Sequence, residues 1–144
     1  MTESYPTIAH RWYDQVWNQL RREAIAELLS PDAVLHEGDD QMRGPEGFYP
    51  FYDRILATFS DMHIKVEQTV EEGDLICARW SVTMTHTGDG LGFPPTNKRC
   101  HVTGMAILRV AGGKLVEGWQ NWDMLGLIQQ IQEAPKAATY IAAV

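Results

Sequence analysis

At His63 the spacing of apolar residues changes from about one in 3.6 positions to one in two, and that switch decides what the chain can fold into. Before it, Ile8, Trp12, Val16 and Leu20 recur every four residues, with Ala9 and Trp17 beside the stripe and Pro6 just ahead of it. Ala24, Ile25, Leu28 and Leu29 predict a second helix, which Ser30-Pro31-Asp32 should end, because a residue before proline is pushed out of the helical region. Ala33 to Glu37 reads as a short strand. Pro45 can open a third helix, to which Phe48, Phe51, Tyr52, Ile55, Leu56 and Phe59 give a broad apolar face.

Beyond the switch, Ile64, Val66 and Val70 alternate with polar residues up to a Glu71-Glu72-Gly73-Asp74 turn, and Leu75 to His86 returns as the other arm of a hairpin. Its Ile76, Ala78, Trp80, Val82, Met84 and His86 share one face. A Gly/Pro-rich connection from Gly88 to Asn97 leads to a long strand, Lys98 to Val110, whose alternation does not choose a face. A Gly112-Gly113 turn then opens a β-type run ending at Trp119-Gln120-Asn121-Trp122-Asp123, ahead of an apolar helical turn from Met124 to Ile131. The tail, 134–144, is small and apolar without a period. With no repeat or linker, residues 1–144 read as one α+β domain, helices first and a meander of strands after.

Composition narrows the function classes. A net charge of −7 with no Lys/Arg-rich run argues against nucleic acid or an anionic membrane surface as partner. Cys77 and Cys100 lie far apart, without the CxxC pairing of a zinc site or redox dithiol, and the histidines lack ligand spacing, so neither metal nor cofactor is expected. No apolar run is long enough to span a bilayer and the N-terminus carries no secretory pattern; a cytoplasmic location is the expectation.

A carboxylate pressed against indole rings loses hydration of its charged form, and its pKa rises towards the working range of an acid/base catalyst. Asp123, beside Trp119 and Trp122, is the first candidate, and the alternative is that it simply caps the following helix. His36, at a strand end, could donate to a substrate carbonyl or bond a neighbouring backbone. His86 stands on the apolar face beside a Thr85-His86-Thr87-Gly88 turn, where fixing the turn competes with catalysis. A flat ligand calls for flat walls, and Trp80, Trp122 and Tyr52, with Trp119 and Phe51, are the candidate substrate contacts.

Several runs carry a family resemblance: Ala78-Arg79-Trp80-Ser81-Val82-Thr83, Thr85-His86-Thr87-Gly88, Leu91-Gly92-Phe93-Pro94-Pro95-Thr96, Gly113-Lys114-Leu115-Val116-Glu117, Trp119, and Asp123 with Leu125-Gly126-Leu127-Ile128-Gln129-Gln130. Together with Pro31-Asp32-Ala33-Val34-Leu35-His36 and Gly44-Pro45-Glu46-Gly47 they resemble the SnoaL-like polyketide cyclases of the NTF2-like superfamily. The chain departs from that pattern at Gly118, where histidine is common, and at Asn97, a frequent glycine. The resemblance implies a cone: a curved antiparallel sheet wrapped around three helices with an apolar pocket at the open end. It also implies cofactor-free intramolecular aldol condensation of an apolar polycarbonyl molecule, with Asp123 as acid/base, in a homodimer. Two other readings stay open on the same scaffold. One is epoxide hydrolysis, which needs a second buried acid such as Glu37; the other is a non-catalytic small-molecule-binding dimer.

Overall fold

The computed structural model describes residues 4–132, so the tail 134–144 lies outside the described residues. The order is α1 (Ile8–Trp12, continued as a π-helical turn over Tyr13–Asn18), α2 (Glu23–Leu28), β1 (Leu29–Glu37), β2 (Asp40–Arg43), α3 (Gly44–Thr58), β3 (Phe59–Glu72), β4 (Leu75–His86), β5 (Arg99–Ala111), β6 (Lys114–Trp122) and α4 (Met124–Gln132). Six strands form one curved, unclosed sheet in the order β2-β1-β6-β5-β4-β3. Every neighbour is antiparallel except β1 and β6, which run parallel. This is the expected α+β architecture with helices against a curved sheet; the parallel pair is the addition.

Thr7 starts α1 by accepting hydrogen bonds from the backbone N–H of Ala9 (3.1 Å) and His10 (3.3 Å). The π-turn that follows adds a residue per turn. Tyr13, Val16 and Trp17 are buried there, while the expected stripe breaks at Leu20, which is 55 % exposed with φ +56°. In α3, Phe48 and Tyr52 are buried against Trp12 and Trp17, with ring centroids 5.0 to 6.0 Å apart. Fully burying such a side chain contributes about 1.5–3 kcal/mol, so this cluster anchors the helices to the sheet.

Three boundaries differ from the sequence expectation. β1 begins at Leu29 rather than Ala33, and Pro31 sits where the β1–β6 register shifts between Leu29 and Val34, the irregular stretch that tolerates a residue without an N–H. β2 was not visible in the sequence because Asp40-Gln41-Met42-Arg43 is polar, short and exposed, and pairs only with β1 at the edge of the sheet. Phe59 opens β3 rather than closing α3.

Strand faces follow the pleat. On β4 the side from Ile76 through Trp80 to His86 is buried, as its alternation requires. β5 does choose a face: Cys100, Val102, Gly104, Ala106 and Leu108 point inward, whereas Met105 (51 % exposed) and Ile107 (43 %) point out. Apolar residues on both sides blur that pattern in the sequence.

Gly44 carries the chain from β2 into α3. Its φ is +61°, and a Cβ there would lie 2.2 Å from the Pro31 carbonyl oxygen. Gly38 shares the left-handed backbone (φ +60°) but has open space around it. Gly44→Ala should therefore destabilise the protein by about 3 kcal/mol or more, and Gly38→Ala by only about 1 kcal/mol. Urea unfolding of both variants measures the difference; equal losses would remove the steric contact from the account.

Candidate active site

The parallel pairing of β1 with β6 sets Glu37 beside Gln120. Alternation on β1 puts Leu35 and Glu37 on the concave face, and on β6 it puts Gly118, Gln120 and Trp122 there. The Trp122 indole N–H donates to Glu37 Oε1, and the Gln120 side-chain N–H donates to Oε2 at 3.3 Å. The Gln120 carbonyl oxygen in turn accepts the Tyr13 hydroxyl at 3.3 Å. Tyr13 reaches this position from the π-turn, and it is 4 % exposed.

Electrostatics makes Glu37 distinctive. Burial pushes its carboxyl above the usual carboxylate value, against the lowering effect of the bonds from Trp122 and Gln120, while the Asp40 charge pushes the same way as burial. The Tyr13 hydroxyl is also driven up, first by burial and then by the Glu37 charge, so at physiological pH it is a neutral donor. Each carboxylate oxygen receives one donor and keeps a lone pair for a proton in flight.

Three cavities meet around these groups among the described residues. An outer vestibule of about 510 Å³ has Glu37, Asp40, Arg54, Phe51, Gln120 and Trp122 in its wall. An inner chamber of about 70 Å³ shares Phe51, Gln120 and Trp122 with it and is lined further by Ile55, Met62, Trp80, Val82 and Met84. A third cavity of about 50 Å³ borders Glu37, Gln120, Leu35, Leu108 and Gly118; a Cβ on Gly118 would stand 3.2 Å from the side chains of both leucines. The vestibule alone has the volume of a small-molecule site, and the inner chamber suits a substituent rather than a ring system.

The structure redistributes the residues expected from sequence. Trp80, Trp122 and Phe51 are in the cavity walls. Asp123 is not in the wall of any of the three. It is exposed and accepts the Gly126 N–H at 2.9 Å as the N-cap of α4, and strand parity makes Glu37 the carboxylate joined to an indole. His36 turns to the convex side, where its Nε2 lies 3.0 Å from Glu117 and its ring stacks on Trp119 at 5.3 Å. Trp119 belongs to that cluster and not to the chamber with Trp122, although both His36 and Trp119 also border the third cavity. Tyr52 is core, its hydroxyl donating to the Val16 carbonyl at 2.9 Å. His86 is fully buried, its Nδ1 accepting the Thr96 N–H at 3.3 Å, and it holds the loop between β4 and β5.

Sequence reasoning passed over Tyr13 and Gln120 as site residues and kept Glu37 only as a second acid. The signal was present: Gly118, Gln120 and Trp122 have the same parity, and Asp123 does not.

Among the described residues no helix is long and apolar enough to cross a membrane. The SnoaL-like polyketide cyclase family pattern matches residues 7–131. Aklanonic acid methyl ester cyclase DnrD of Streptomyces peucetius is 28% identical over 109 residues, covering 74% of this chain and 73% of that protein. Nogalonic acid methyl ester cyclase of Streptomyces nogalater is 28% identical over 121 residues, covering 80% and 88%. Among solved structures, IdmH of Streptomyces antibioticus, a candidate polyketide cyclase, superposes with a TM-score of 0.73 at 30% identity over 83% of this chain and 93% of its own. A candidate SnoaL-like polyketide cyclase from Jannaschia sp. CCS1 reaches 0.81 at 21% identity, over 94% and 100%, a likeness of fold.

Burial has a thermodynamic signature. Because the folded-state pKa of Glu37 lies above its ordinary 4.5, the folded protein holds this proton to higher pH than the unfolded chain, and stability falls as pH rises from about 4.5 through the raised value. Glu37→Gln keeps an acceptor for Trp122 and removes the charge. The variant should gain stability over wild type at pH 7, with the gain fading near pH 4, in urea unfolding at both. A variant gain that is larger at pH 4 would reverse the sign and contradict the assignment.

Proposed function

The chain belongs to the SnoaL-like polyketide cyclase family, and from that premise we propose that it closes a ring in an apolar polycarbonyl molecule by intramolecular aldol condensation, with Glu37 as acid and base. One observation carries this reading: a half-buried carboxylate of raised pKa, held by Trp122 and Gln120, at the wall shared between the vestibule and the third cavity. Glu37 takes a proton from a carbon flanked by two carbonyls. The C–H electron pair becomes the enolate C=C, and that carbon attacks a ketone carbon of the same molecule. The new alkoxide then recovers the proton from Glu37, so substrate and product are isomers and the carboxylate is regenerated. Trp122 and Gln120 hold the carboxylate in one orientation throughout, and Tyr13 holds Gln120. Apolar walls keep out water that would protonate the enolate carbon prematurely.

The test is incubation of chelator-treated, dialysed protein with a triketone able to form a six-membered ring. The expected product has the mass of the substrate, and in deuterated water the acidic carbon exchanges faster with enzyme than without. The rate should fall on acidification with a midpoint above 4.5, the ordinary value for Glu37. Absence of both ring closure and catalysed exchange, or activity restored only by a metal, would contradict the reading.

We further propose a homodimer formed through the convex sheet face, supported by Met105 and Ile107, which stand exposed there on β5. Sedimentation at micromolar concentration should give a dimer, and Ile107→Lys should shift it to monomer. A wild-type monomer at that concentration would count against this surface.

A further inference from the structure

Trp80 is 5 % exposed and forms part of the inner-chamber wall, yet its indole N–H is buried and donates to no acceptor among the described residues. Buried donors are nearly always satisfied, and one that is not costs about 1–3 kcal/mol. Packing alone does not explain a tryptophan here, because a phenylalanine would bring a ring without the orphaned N–H.

The ring's direction follows from the sheet. Trp80 pairs with Gly104 on β5, and Gly104 pairs with Trp122 on β6. A Cβ on residue 104 would lie 2.3 Å from Trp80 Cζ2 and 2.6 Å from Cε2, so the indole is laid across β5 over the glycine. Gln120 and Trp122 on β6 share the inner-chamber wall with Trp80 and wall the vestibule as well. On the helix side the Tyr13 ring lies 6.1 Å away, centroid to centroid. Gly104 and Tyr13 therefore fix the indole before any ligand arrives, the condition under which a donor is most effective towards developing charge.

We propose that the Trp80 N–H is a ligand hydrogen-bond donor that receives a ketone oxygen entering the inner chamber. The inference rests on the cyclase reading and adds to it the group that binds the oxygen. As Glu37 removes the proton from the adjacent carbon, the carbonyl π pair moves onto that oxygen, and the Trp80 N–H stabilises the enolate so formed. Trp80 is thereby a substrate-touching residue, and Gly104 a positioning one.

The test uses acetophenone and ethylbenzene, which share a carbon skeleton and differ in the oxygen. In 15N-labelled protein, the indole resonance absent from Trp80→Phe identifies Trp80; on titration with acetophenone its proton signal should move downfield, and with ethylbenzene it should not. Trp80→Phe should bind acetophenone about tenfold more weakly than wild type while binding ethylbenzene equally, the loss expected for one hydrogen bond. Gly104→Ala, which displaces the ring, should show the same selective loss. An indole signal indifferent to acetophenone, equal losses for both ligands, or no saturable acetophenone binding would overturn the proposal. Because acetophenone has no second carbonyl to condense with, this result stands apart from the fate of Glu37: selective binding without ring closure would retain the Trp80 donor and reject the cyclase reading.

Discussion

The pairing of β1 with β6 is the constraint on which this site depends. It is the one parallel contact in the sheet, and it joins Val34–Glu37 to Glu117–Gln120 across more than half the chain. Parallel neighbours need a long connection, and here that connection is β2, α3 and the three-strand meander, the same elements that wall the cavities. If the pairing slipped by one residue, Glu37 and Gln120 would no longer face the same side. The fold and the carboxylate's environment are thus one fact seen twice.

Much of the architecture was legible because hydrophobic period and turn chemistry agreed. The hairpin at Gly73, the buried face of β4 and the helical cap before Leu127 all follow from local rules. What stayed hidden had physical reasons. β2 is four polar edge residues that only the β1 partner makes a strand. The π-turn over Tyr13–Asn18 leaves no mark on the apolar spacing, because Tyr13 and Trp17, four apart, would share a face of a regular α-helix as well.

The site was half legible for a related reason. Composition located an indole-rich stretch and suggested a carboxylate beside it, and the structure pairs the Trp122 indole with Glu37. Local sequence favoured Asp123 because it adjoins Trp122, but adjacent residues on a strand point to opposite faces. The carboxylate that meets Trp122 comes from a strand eighty-five residues earlier by sequence. His36 and Trp119 likewise alternate with inward-facing neighbours and cluster with Glu117 on the convex side.

Burial and the neighbouring Asp40 charge outweigh two hydrogen bonds at Glu37 and raise its pKa, whereas Asp123 is exposed at a helix N-terminus. Both acids can be replaced by their amides with little change of shape, which separates the roles cleanly. The decisive measurement is turnover of a ring-closing triketone by Glu37→Gln and Asp123→Asn side by side with wild type. The account predicts a fall of about 10²–10⁴-fold for Glu37→Gln with substrate affinity kept, and a rate near wild type for Asp123→Asn. A full rate in Glu37→Gln, or the large loss appearing in Asp123→Asn instead, would contradict it.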